Sequence, residues 1–236
     1  MSQIAIARLL ARRFTGGPYY HLTLTNPFDE AVKPGQFVML AEGGAQEPFL
    51  KRPYSVYRAL PKSVTEPEGR LELLIKIVGR GTTRTSETPL GAPIELIGPL
   101  GKPFAISETL TQAIFVAGGV GVAPFVQLAY ELGRRGIAMT ALIGGRSQND
   151  LQALDDLRSL GVKLELATED GSLGVKGRVT TLLEPWLLGG KKPGHELFVC
   201  GPEAMMKAVG RLALKADWPC QLSLEANMGC GIGVCL

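Results

Sequence analysis

The reading of this chain turns on Ile114-Phe115-Val116-Ala117-Gly118-Gly119-Val120-Gly121-Val122-Ala123-Pro124. Four apolar residues running into glycines predict a short strand buried on both faces, and Phe125 to Arg134 then follows with helical spacing. A strand, a Gly-rich turn and a helix N-terminus together present backbone N–H groups and the positive end of a helix dipole, which suit a pyrophosphate. Gly118, Gly119 and Gly121 let the backbone approach such a ligand before the turn closes at Pro124. The turn departs from G-x-G-x-x-G, so it lacks the usual dinucleotide fingerprint, and glycines kept for packing are the alternative.

Downstream the alternation continues. Met139–Ile143, Lys163–Ala167 and Leu197–Cys200 read as strands, and Leu151–Leu160, Val179–Leu188 and Met205–Ala216 as helices. That order predicts a Rossmann-like α/β domain: a parallel sheet covered on both faces, with ligands at the carboxyl ends of its strands. Those ends carry Gly118-Gly119, Thr168-Glu169-Asp170-Gly171 and Cys200-Gly201-Pro202-Glu203. Taken singly, Asp170-Gly171 also reads as a turn and Cys200 as a small buried residue. Arg146-Ser147, just past the strand Met139–Ile143, suits a 2′-phosphate, and no Asp or Glu stands at that strand end to hold a free ribose diol. The choice between NAD and NADP therefore stays open.

Upstream, the pattern is of short β segments: Gln3–Leu10, Tyr19–Leu24, Gln36–Ala41, Arg52–Arg58, Arg70–Val78 and Pro93–Ile97. Pro34-Gly35, Gly43-Gly44, Pro67-Glu68-Gly69 and Leu90-Gly91 separate them, which predicts a small antiparallel barrel. Within it, Arg52-Pro53-Tyr54-Ser55 places a cation, a rigid φ, an aromatic face and a hydroxyl in one run. Such a set can hold a planar ring on one side and a phosphate on the other, although a strand with a surface Arg and a half-buried Tyr looks the same in sequence. Gly79-Arg80-Gly81-Thr82 follows a strand, and Thr82 is expected to cap a helix over Thr83–Glu87 beside a phosphate; an ordinary strand-to-helix turn is the alternative. Gly98-Pro99-Leu100-Gly101 reads as the turn that ends the barrel. The expected organisation is α+β with two domains, a barrel over 1–100 and an α/β domain over 101–217, followed by a C-terminal segment over 218–236.

Composition narrows the class. Of 236 residues, 45% are hydrophobic and 20% charged, the balance of a folded globular chain. A net charge of +3 with dispersed Lys and Arg gives no nucleic-acid footprint. The N-terminus lacks a signal-peptide core and no apolar run approaches a bilayer span, so a cytoplasmic protein without membrane insertion is expected. Cys200, Cys220, Cys230 and Cys235 all fall late in the chain, which points to a metal rather than a disulfide framework.

Across nearly its whole length the chain resembles the ferredoxin reductase-like flavoproteins, and within them the electron-transfer subunits of two-component dihydroorotate dehydrogenases. The resemblance implies FAD in the barrel, bound by the motif Arg52-Pro53-Tyr54-Ser55, with Arg52 at its phosphates, Tyr54 against the ring system and Ser55 near its reactive edge. Leu74-Ile75-Lys76 and Gly81-Thr82 match further FAD segments, and Gly98 to Gly101 matches the hinge. Gly118 to Pro124 matches the nicotinamide-nucleotide turn, and Cys200-Gly201-Pro202 with Met205 the segment beside the nicotinamide. Tyr54, Ser55 and Cys200 are thereby expected next to the reacting atoms.

Glu225 to Cys235 looks like the opening of a Cys-x4-Cys-x2-Cys…Cys ligand set for a 2Fe-2S cluster, with Cys230 and Cys235 as its first two thiolates. A zinc knuckle or free thiols are the alternatives, zinc being disfavoured because His21 and His195 lie far off in sequence. Cys220 precedes the pattern, so the remaining ligands are expected beyond Leu236. The resemblance further implies an FMN-containing dihydroorotate dehydrogenase catalytic subunit as partner, in a heterotetramer. Related small subunits of NADPH–ferredoxin transhydrogenases, sulfide dehydrogenases or hydrogenase diaphorases share these motifs, and a non-catalytic redox-sensing nucleotide-binding module is the rival from another class.

Overall fold

The computed structural model describes residues 3–42, 50–224, 228 and 229. They divide into two compact units, one running to Pro103 and including 228 and 229, the other beginning at Phe104.

The first unit is a closed antiparallel barrel of β1 (Gln3–Gly16), β2 (Tyr19–Leu24), β3 (Phe37–Glu42), β4 (Arg52–Leu60), β5 (Arg70–Lys76) and β6 (Pro93–Leu100), in the order β1-β2-β5-β4-β3-β6. Closure pairs every strand on both sides, which leaves no edge to template aggregation. Alternation puts Leu22, Leu24, Val38, Leu40, Leu71 and Leu73 into one core. The stretch Gly98–Leu100 continues β6 instead of turning: Gln3 pairs with Gly98 and Phe37 with Leu100. The Gly98–Pro99 peptide is cis. A glycine is needed at 98 because a Cβ there would stand 2.8 Å from Val38 Cγ1.

Between β5 and β6 lies one helix, α1 (Arg80–Glu87). It starts earlier than the sequence reading places it: Gly79 is the N-cap, and Thr82 sits inside the first turn with its hydroxyl reaching back to the N-cap N–H. The Thr82 hydroxyl accepts from the N–H groups of Val78 (2.8 Å) and Gly79 (3.2 Å) and donates to the Gly79 carbonyl at 3.0 Å. All of its capacity goes into the strand-to-helix turn.

The second unit is a parallel sheet, with strands β7 (Gln112–Gly118), β8 (Ala138–Gly145), β9 (Lys163–Thr168), β10 (Val175–Lys176), β11 (His195–Cys200) and β12 (Cys220–Ser223). Their order is β10-β9-β8-β7-β11-β12. The helices are α2 (Ala123–Arg134), α3 (Leu154–Ser159), α4 (Val179–Leu187) and α5 (Glu203–Lys215). Ile114, Val116, Leu197 and Val199 face α4 and α5, together with Leu183 and Val209. The alternate positions carry the aromatic residues that pack on α2. Phe115 and Phe125 stack with centroids 5.1 Å apart, and Phe104 meets Phe198 edge-on at 5.4 Å.

Two short strands are absent from the sequence reading, and one helix is shorter than it expects. The edge strand β12 pairs with β11, Leu197 against Cys220 through Cys200 against Ser223. Cys220 thus belongs to the parallel sheet, although the sequence reading groups it with the C-terminal segment. The helix expected from Leu151 begins at Leu154, because Gln148–Asp150 forms a 3-10 turn and Ala153 adopts a left-handed φ of 62°. Among the described residues no helix is long and apolar enough to cross a membrane.

Candidate functional site

In the barrel, the strand Arg52-Pro53-Tyr54-Ser55 has a defined facing. Leu40 pairs with Arg52 and Val38 with Tyr54, both partners being inward core residues, so Arg52 and Tyr54 turn inward while Pro53 and Ser55 turn outward. Arg52 enters a buried polar cluster. Its Nη2 donates to both carboxylate oxygens of Glu42, at 2.8 and 2.7 Å, and lies 3.4 Å from the Thr85 hydroxyl. Nη1 donates to the Leu50 carbonyl at 3.2 Å. The Thr85 hydroxyl also bonds to the Glu42 carboxylate, and Tyr20 donates from its hydroxyl to the Thr82 carbonyl at 2.9 Å.

Gly81 explains how a guanidinium reaches this position. A Cβ there would stand 2.7 Å from Arg52 Cδ and 2.9 Å from its Nε. The side chain of Arg52 therefore lies flush on the first turn of α1. Gly79, by contrast, has nothing within 4 Å of an added Cβ.

The electrostatics of the cluster follow from burial. Burial works against the charge on Arg52, but its hydrogen bond to Glu42 and attraction to Tyr54 and Glu42 outweigh this and raise its pKa. Burial raises the Tyr54 phenol, with the charge of Arg52 pulling the other way, and burial raises Tyr20 further, reinforced by Tyr54 and Glu42. Arg52 thus stays charged and both phenols stay protonated. Two buried atoms in the cluster, Arg52 Nε and Tyr54 Oη, make no hydrogen bond of normal geometry, although the Tyr54 hydroxyl lies near enough to Arg52 and Thr85 for both to act on its pKa. Buried polar atoms without partners are rare in folded proteins, and these two are donors beside a helix N-terminus. A phosphate or carbonyl oxygen is the chemistry that would satisfy them, so the donor set fits a flavin dinucleotide.

The other expected flavin positions differ in what they offer. Ile75 lies in the barrel core and Leu74 is buried on the opposite face, so neither offers a polar side chain to a ligand. The ammonium of Lys76 sits 4.9 Å above the Tyr19 ring.

In the α/β unit, the turn after β7 packs against the end of β11. A Cβ on Gly121 would stand 2.4 Å from the Cys200 carbonyl oxygen, and one on Gly118 would stand 2.7 Å from Met205 Sδ and 2.8 Å from Pro202 Cδ. Gly119 has a left-handed φ of 54° and Gly201 a φ of 153°. The structure thus brings Gly118, Gly119, Gly121, Cys200, Gly201, Pro202 and Met205 to one place. Gly118 and Gly121 are required there by the protein's own packing, before any ligand is considered. Pro124 lies in the first turn of α2, which follows a 3-10 turn over Gly119–Val122. Cys200 is buried, with 1% of its surface exposed.

At the next strand end, Thr168 is wholly buried and its hydroxyl bridges the backbone of Leu173, accepting at 3.1 Å and donating at 2.9 Å. The exposed Asp170 carboxylate binds the N–H and hydroxyl of Ser172, which holds its pKa below the usual range. Both residues shape the loop to β10. Beside it, the 3-10 turn folds Asp150 back so that its carboxylate accepts from the Arg146 N–H at 3.1 Å. The sequence reading finds no acid at this strand end; the tertiary fold supplies one from four residues away. Glu42 and Thr85 were missed as well. The alternation Val38, Leu40, Glu42 was the signal that would have marked Glu42 as inward.

Cys230 and Cys235, the expected cluster ligands, lie outside the described residues, and among those described no group of three or more His, Cys, Asp or Glu side chains is placed to hold a metal.

Residues 115–211 match the family model described as the oxidoreductase NAD-binding domain. The dihydroorotate dehydrogenase B (NAD(+)) electron transfer subunit of Desulforamulus reducens is 34% identical over 100% of this chain and 88% of its own length. That of Bacillus caldolyticus is 31% identical, over 98% of this chain and 85% of its own. A solved NADH-dependent reduced ferredoxin-NADP oxidoreductase, studied for flavin-based electron bifurcation, superposes with a TM-score of 0.80 at 27% identity, covering 98% of this chain and 80% of that one. With such relatives spanning both units, the chain belongs to the oxidoreductase family of dihydroorotate dehydrogenase B electron transfer subunits.

Proposed function

We propose that the barrel holds FAD, that the α/β unit holds a nicotinamide dinucleotide, and that electrons pass onward through a 2Fe-2S cluster to a partner subunit. Bound FAD would supply the conversion between two-electron exchange with the nicotinamide and one-electron transfer to the cluster. The protein's own residues bind and orient. The unpartnered Nε of Arg52 and Oη of Tyr54 are the single observation that carries the flavin reading. Arg52 and the first turn of α1 would face the diphosphate, Tyr54 the ring system, and Ser55, on the outward face of β4, the reactive edge. Gly81 would act by making room for Arg52, and Thr82 by holding the turn.

The turn Gly118–Pro124, with Gly201, Pro202 and Met205, would carry the dinucleotide, and Cys200 would lie beside the nicotinamide. Asp150 at the end of β8 supports NAD over NADP, because a carboxylate there can accept from a ribose diol. Cys230 and Cys235 would give two cluster ligands. The partner would be a subunit oxidising dihydroorotate, as the relatives' names support; that it carries FMN and forms a heterotetramer with this chain follows the family resemblance alone. A second reading, a subunit of a ferredoxin-NADP oxidoreductase, draws on the 27% identical solved structure.

Identifying the chain that co-purifies from the native host separates these two readings. Acid release of the flavin should give FAD. Arg52→Ala should lower its affinity by about ten- to a hundredfold, the range for hydrogen bonds to a charged group. Release of FMN alone, or unchanged FAD affinity in Arg52→Ala, would refute the flavin reading. Iron and sulfide in protein from the complete gene should be lost with Cys230→Ser or Cys235→Ser and kept with Cys200→Ser.

A further inference from the structure

We infer that Glu42, backed by Thr85, is a positioning residue that holds the Arg52 guanidinium ready for the flavin diphosphate; this rests on the FAD reading above. Glu42 ends β3 on the inward face with only 7% of its side chain exposed, and Arg52 beside it is 18% exposed. Both carboxylate oxygens take Nη2, and the Thr85 hydroxyl binds the same carboxylate from α1. Leu50 takes Nη1, and Gly81 bounds the stem. Contacts from β3, from α1 and from Leu50 just before β4 thus fix one side chain and leave its Nε without a hydrogen bond of normal geometry. An arginine free to rotate would lose that freedom on binding, which weakens affinity; one already anchored does not.

The charge of Glu42 opposes a diphosphate, so the sign of its substitution is decisive. Because its oxygens are turned onto Arg52 and Thr85, the carboxylate is offset at contact, and anchoring outweighs repulsion.

The test is flavin affinity, measured by fluorescence as holoprotein is diluted and rebound, for FAD and for riboflavin, which has no phosphate. Glu42→Gln should weaken FAD about tenfold and leave riboflavin unchanged, since only the diphosphate uses Arg52. In an Arg52→Ala background, Glu42→Gln should have no further effect on FAD. Thr85→Val should show a smaller loss of the same kind, rescued by Thr85→Ser, and it serves if Glu42→Gln does not fold. Tighter FAD binding in Glu42→Gln, equal loss of FAD and riboflavin, or losses that multiply with Arg52→Ala would overturn the inference. An Arg52→Ala protein with unchanged FAD affinity would instead remove Arg52 from the flavin site and the inference with it.

Discussion

Adding one methyl group at Gly81 tests the geometry of the barrel cluster. In Gly81→Ala the new Cβ would stand 2.7 Å from Arg52 Cδ, 2.9 Å from Nε and 3.2 Å from Cζ. Carbon contacts settle at about 3.5–4.0 Å, so the Arg52 side chain must retreat by about 1 Å. That would stretch the Nη2 bonds to Glu42, now 2.7 and 2.8 Å, beyond hydrogen-bond range. Losing bonds to a charged group costs about 1.5–3 kcal/mol, whereas Ala replacing Gly in a helix gains about 0.5–1 kcal/mol. The net expectation is destabilisation by about 0.5–2.5 kcal/mol, read by urea denaturation. The same substitution in an Arg52→Ala background should reverse sign and stabilise by about 0.5–1 kcal/mol, because nothing remains to collide with. Gly79→Ala, with open space and an extended φ of 170°, is the control and should not destabilise. Stabilisation by Gly81→Ala alone, or equal cost in both backgrounds, would show that Arg52 does not lie on the helix as described.

Gly121→Ala should destabilise the α/β unit by about 3 kcal/mol, the upper end of overpacking, because the obstacle 2.4 Å away is the Cys200 carbonyl and not a flexible side chain; denaturation of nucleotide-free protein reads this. Gly119→Val should also lower stability, by about 1–3 kcal/mol, since a β-branched residue resists the φ of 54°, so any loss of nucleotide affinity in it must be judged against its melting temperature. Cys220 gives a pH dependence: burial, then repulsion from Glu196, pushes its thiol from 9.0 to about 11. A raised folded pKa means that stability is intact below pH 9 and falls as pH rises toward 11, by at most about 1–2 kcal/mol after allowance for partial exposure. Cys220→Ser should flatten that alkaline limb, and an unchanged slope would count against the burial of the thiol.

Features that depend only on neighbours along the chain are legible without the fold. Period-two alternation between turn residues fixed the barrel strands, with Tyr19–Leu24 matching residue for residue, and the run from Ile114 into Gly118 fixed the strand-turn-helix unit. The short edge strand Cys220–Ser223 was not legible, because it is held by pairing with His195–Cys200 and not by any pattern of its own. The sites divide in the same way. Arg52-Pro53-Tyr54-Ser55 and the two Gly-rich turns could be marked as unusual from their residues alone. That Gly81 makes room for Arg52, that Gly121 makes room for the Cys200 carbonyl, and that the Thr82 hydroxyl is already spent were decided by tertiary structure. Glu42 and Thr85 are 43 residues apart in the chain and meet only because barrel closure brings the end of β3 under α1. A local pattern can report the facing of a strand, but a hydrogen-bond partner is chosen by the three-dimensional path of the chain, and that path is set by the packing of the whole unit.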